Sequence, residues 1–104
     1  MPSSRADVST DHASRYLQQL CKHWAHKFET EFTPTRGQIA LPLGSTVLSA
    51  DDSVLSIEVT AREDVDLRQL EDVVQRHVER FAFRETLQFD WKMADEAAPA
   101  AGEA

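Results

Sequence analysis

The chain holds a single cysteine, three glycines and one tyrosine among 104 residues. One cysteine excludes an intramolecular disulfide and any paired-cysteine metal ribbon. Gly-rich phosphate loops, nucleophile elbows and metalloprotease helices are absent from the sequence, which argues against the common enzyme classes. No apolar run approaches the roughly 20 residues that cross a bilayer, and the N-terminus has no apolar stretch of signal-peptide type. Positive charge is the minority: 11 Lys and Arg against 18 Asp and Glu give a net charge of −7. Nucleic acid and anionic membrane surfaces require a basic stripe, so neither is an expected partner. A soluble cytoplasmic protein is the expectation.

What is present suffices for one domain. A chain of 104 residues and 11.7 kDa buries most of its apolar surface without staples. Residues 1–4 are expected to fray. Residues 93–104 are small and acidic, without aromatic or β-branched side chains, and so cannot repay the entropy of ordering. The expected folded domain therefore covers residues 5–92.

Within it, Ala6 and Val8 alternate with Arg5 and Asp7 as a weak strand. Thr10 is the expected N-cap of a first helix, with Asp11 in its first turn. At about 100° per residue, Ala13, Tyr16, Leu17, Leu20, Trp24 and Phe28 gather on one face, with Cys21 at its border. Turn residues at 33–37, 42–45 and 50–53 then punctuate short alternating runs, among them Ile39 with Leu41 and Leu55 with Ile57 and Val59. A second helix starts at Asp66, with Gln69 three residues on and Val65 placed to staple against Leu70, and runs to about Phe81. Leu87, Phe89 and Trp91 alternate as a final strand. The order β-α-β-β-β(β)-α-β describes an α+β two-layer sandwich, with two amphipathic helices on one face of a mostly antiparallel sheet.

Chemistry-bearing residues concentrate in the stretch 15–27, read as one helix. His12, Arg15, Gln19, His23 and His26 fall in a strip about 80° wide, with Lys22 beside it and Lys27 nearby. His23 and His26, three apart, can converge on one metal ion, and a carboxylate from another element or subunit would complete a zinc-like or iron-like set. The plain alternative is a solvated face whose cations complement the helix dipole. Cys21 and His23 point about 200° apart, so they cannot share an ion. His77 stands on the apolar stripe of the second helix, where an imidazole is expected to be neutral and to donate to a backbone carbonyl or a hydroxyl. If it faced a cavity beneath the sheet it would be the best single candidate for a haem-type or proton-transfer role. Arg80 and Arg84 with Arg36 have the planar fork that chelates carboxylate or phosphate, and Asp51 with Asp52 reads as a turn.

The stretches 13–27 and 77–85, with Gly37, Gly44 and the Ala50-Asp51 pair, resemble a small bacterial domain of unknown function. That domain occurs alone at about this length and also appended to siderophore-interacting flavin reductases. The resemblance implies a context of iron or siderophore handling, with the redox chemistry in a partner reductase. It marks Arg15, Lys22, His23, His26, Lys27 and His77 as the residues to watch. The first functional reading is a non-catalytic binding or accessory domain whose histidine-cation face meets an anionic ferric complex, a metal or the reductase. The second is a small metal- or haem-dependent enzyme using His77 or the His23/His26 pair. A third is a structural homo-oligomer, pairing through an edge strand or the helical layer. No cofactor is assigned by the sequence.

Overall fold

The computed structural model describes residues 2–93. In chain order they form β1 (Ser3–Ser9), α1 (Ala13–Trp24), β2 (Thr30–Phe32), β3 (Arg36–Leu41), β4 (Gly44–Ala50), β5 (Val54–Ala61), α2 (Leu67–Phe81) and β6 (Lys92–Met93). The strands make one antiparallel sheet in the order β2-β3-β4-β5-β1-β6. This is the expected α+β architecture. The weak N-terminal strand lies inside the sheet rather than at its edge.

Period-two alternation sends one set of side chains to the helices. The register aligns Ala6, Ile57, Leu48 and Gly37 in one inward row, and Ser4, Val59, Thr46 and Ile39 in the next. All eight are buried, whereas Arg5, Asp7, Glu58 and Gln38, one residue out of phase, are exposed. On the open face Ser56 and Arg5 both bond to the Asp7 carboxylate, and the Ser56 hydrogen bond is the main cause that holds its pKa below the usual range. α1 lies over β3 and β4 and α2 over β5 and β1. Leu17, Leu20, Leu70, Val74 and Val78 are fully buried in between, and each such side chain stabilises the fold by about 1.5–3 kcal/mol relative to exposure.

Two glycines make the packing possible. A Cβ at Gly37 would stand 2.6 Å from Cys21 Sγ and 3.3 Å from Leu17 Cδ2, so α1 approaches β3 only because position 37 is bare. Gly44 opens β4 at φ 156°, and a Cβ there would meet the Thr60 carbonyl at 2.0 Å.

Several boundaries differ from expectation. Residues 1–4 do not all fray: Ser3 pairs with Thr60, Ser4 pairs with Val59 and Met93, and the Ser4 hydroxyl donates to Glu71 at 2.6 Å. Serines carry no hydrophobic signal, so this pairing is invisible to periodicity. α1 starts at Ala13, later than Thr10 and Asp11 suggest, although the Thr10 hydroxyl still accepts the His12 N–H. It also ends at Trp24, whose carbonyl takes both the Lys27 and Phe28 N–H groups and tightens the chain into a turn. α2 matches its expected span, with the Asp66 carboxylate accepting the Arg68 N–H.

The final strand is not where alternation put it. Leu87 is buried and Phe89 and Trp91 are half-buried, but only Lys92 and Met93 pair with β1. The segment lies against the core without joining a ladder, and the Trp91 indole donates to Gln75 of α2 at 2.9 Å. Its period of two reports one-sided burial, which strand pairing shares but does not own. Met93, assigned by sequence to the tail, belongs to β6; the rest of that tail lies outside the described residues.

Gly37→Ala is expected to lower stability by about 1–3 kcal/mol in urea unfolding. In a Cys21→Ala background the clash with sulfur is gone, and the same substitution should become nearly neutral. Equal costs in both backgrounds would contradict the close approach.

Candidate functional site

Where the C-terminal half of α1 meets α2, an aromatic seam forms. The Trp24 and His77 ring centroids are 4.8 Å apart, and His23 stands 5.5 Å from His77 and 6.0 Å from Phe81. His77 is half-buried, and its Nδ1 lies 2.7 Å from the Val73 carbonyl one turn back. A carbonyl only accepts, so Nδ1 carries the proton and Nε2 is left for another partner. Of the two partners that its place on the stripe implied, a carbonyl or a hydroxyl, the imidazole thus takes the carbonyl.

Beside this seam is a hollow of about 350 Å³. Trp24, Phe28, Leu41, Leu43 and Val73 supply its apolar wall, and His23, Lys27 and His77 its polar groups. Partial desolvation at the seam lowers the His23 pKa from the usual 6.5, helped by the charges of His77, Arg80, Lys27 and His26. His77 borders this hollow, which opens at the helix seam beside the β3–β4 turn.

The histidine-cation strip of α1 is divided. Arg15 lines a second hollow of about 440 Å³ with His12, Tyr16, Gln19, Arg84 and Glu85, toward the start of the helix. His26 and Lys22 are exposed and line neither hollow. Arg36 lies at a third hollow on β3, apart from Arg84, so the imagined cluster of three guanidinium groups does not assemble there. Asp51 makes its turn, accepting the Ser53 and Val54 N–H groups. Cys21 is fully buried, and burial pushes its thiol up to about 11, which makes it inert.

Sequence reasoning missed four contributors to the first hollow. Trp24 and Phe28 were assigned wholly to the core, and Leu41 with Leu43 to a strand and a turn. A signal was available: two leucines flank Pro42 in a hairpin turn, where polar residues are usual.

Residues 5–92 match the model of a family described as an uncharacterized protein conserved in bacteria (DUF2218). The chain belongs to this family. A DUF2218 assignment brings no activity with it. The chain is also similar to a solved structure, the NMR structure of PA4090 from Pseudomonas aeruginosa, with 36% identity and a TM-score of 0.74 over 88% of this chain and 96% of that one. No curated protein matches this DUF2218 chain.

In the second hollow the Tyr16 hydroxyl donates to Glu85 Oε2, which also accepts from Thr10 at 3.1 Å. Burial, then the Glu85 bond and charge, push the phenol up to about 12 from 10.0. A raised folded-state pKa means that this contribution to stability is intact below pH 10 and is lost as pH rises through about 12. Tyr16 is the chain's one tyrosine, so ultraviolet phenolate absorbance reports it alone. The native protein, its fold followed by circular dichroism, should titrate near 12 and the urea-unfolded chain near 10; a native midpoint near 10 contradicts the Tyr16–Glu85 contact.

Proposed function

We propose that this domain is a non-catalytic binding or accessory module whose site is the first hollow, and that its ligand is a small anion with an apolar body. One observation carries the reading: Lys27, His23 and His77 are set around a wall of Trp24, Phe28, Leu41, Leu43 and Val73. Concave, mostly apolar sites with a few convergent polar groups are the usual form of small-molecule sites. On a chain of net charge −7 the Lys27 ammonium gives the rim a local positive charge for an anion that the remaining surface repels, and the two imidazoles add hydrogen-bonding groups beside it. The lining has no hydroxyl, thiol or carboxylate side chain, so serine-, cysteine- and carboxylate-based covalent mechanisms have no nucleophile there.

The proposed process is iron or siderophore handling in the cytoplasm, with a siderophore-interacting flavin reductase as partner. Its support is the resemblance carried by residues 13–27 and 77–85. A ferric siderophore, an organic ligand shell with negative charge, belongs to the class of molecules that the hollow suits.

The test uses dihydroxybenzoate and its ferric complex as probes, by calorimetry on untagged protein. Lys27→Ala and His77→Ala should each weaken binding about tenfold, equivalent to about 1.4 kcal/mol. Lys22→Ala, which lies outside the hollow, should leave it unchanged. Lack of saturable binding, or equal effects of all three variants, would overturn the proposal.

A further inference from the structure

We infer that His23 and His77 together form an open two-imidazole site for a divalent transition-metal ion. The pairing joins two helices and differs from the His23/His26 spacing within one stretch. His26 sits in the turn after α1, exposed and outside the hollow.

Three observations support the site. First, the spacing fits. A zinc–nitrogen bond of about 2.0–2.1 Å puts each ring centroid about 3.2 Å from the ion. Centroids 5.5 Å apart then subtend about 120° at a shared ion, close to a tetrahedral angle. Second, His77 is pre-oriented. Its Nδ1–H is committed to the Val73 carbonyl at 2.7 Å, the kind of outer bond that fixes a ligating histidine's tautomer and leaves Nε2 for the metal. His23, exposed, has room to turn its ring toward the same point. Third, the two rings border the same hollow of about 350 Å³, which leaves space for further ligands.

The chemistry of the donors sets the class of ion. Two neutral imidazoles suit Cu(II), Ni(II) and Zn(II), with Cu(II) bound most tightly. Among the described residues no group of three or more His, Cys, Asp or Glu is arranged to hold a metal. The protein therefore supplies two ligands, and solvent or an exogenous anion fills the remaining positions. Lys27 on the rim of the hollow opposes a bare dication and favours an anionic co-ligand. Bound metal would also tie α1 to α2. The inference uses the same hollow as the anion reading but does not depend on it: metal alone is the probe here, and anion binding can be measured separately in chelator.

Chelator-stripped, untagged protein titrated with Ni(II) and Zn(II) by calorimetry should bind one ion per chain. His23→Ala and His77→Ala should each weaken this by about tenfold or more, while His12→Ala and His26→Ala keep it. Because His77 is half-buried, circular dichroism accompanies each variant, and Cu(II) broadening of the wild-type NMR spectrum gives a readout free of mutation. Broadening centred on residues 23, 73 and 77 supports the site. Broadening centred on His12 or His26, loss of binding that follows those residues, or absence of saturable binding overturns it.

Discussion

The constraint on which this structure depends is that the helices must share one covered face of the sheet. Alternation along β1, β3, β4 and β5 directs an apolar set to a single side and leaves Arg5, Asp7, Gln38 and Glu58 on the other. The helices must then lie side by side, α1 over β3 and β4 and α2 over β5 and β1. Close contact needs Gly37 beneath Cys21, because any side chain there would lift α1. The seam between the helices follows from this arrangement. Trp24 against His77 is its tightest aromatic contact, and the hollows open along its length.

That seam gives the polar strip of α1 a meaning that the helix alone does not have. Seen as a cylinder, the strip is one band of histidines and cations. In the fold its start borders Tyr16, Glu85 and Arg84, and its end borders Trp24, Phe28 and the Leu41–Leu43 turn. The first environment is a hydrogen-bonded junction that anchors the chain after α2 to Thr10, just past β1, and to Tyr16 of α1. The second is apolar with a few basic groups, which is the environment of a binding site. Similar side chains thus acquire different roles through what the second helix and the β3–β4 turn bring beside them.

The fold was legible in the sequence wherever burial has a period. Asp66 as a cap, Leu67 to Phe81 as a helix, and Leu55, Ile57 and Val59 as one face of a strand all rest on local patterns that the structure realises. The errors share a physical cause. Ser3 and Ser4 pair in the sheet through backbone groups that leave no hydrophobic trace, and Leu87, Phe89 and Trp91 alternate without pairing because one-sided packing alone requires that pattern. The candidate site was legible only in part. His77 was placed on its stripe with a carbonyl or a hydroxyl as its partner, and the structure supplies the carbonyl. Its approach to His23 depends on how two helices lie on a sheet, and no spacing within either helix encodes that distance.

The central claim is that ligands of this domain meet the α1–α2 seam at the end that holds Trp24 and His77. NMR shift mapping of isotope-labelled protein with a panel of amphipathic carboxylates tests it most directly. The account predicts perturbations concentrated on residues 23–28, 41–43 and 73–77. Perturbations centred on the open sheet face, at Arg5, Gln38 and Glu58, would contradict it.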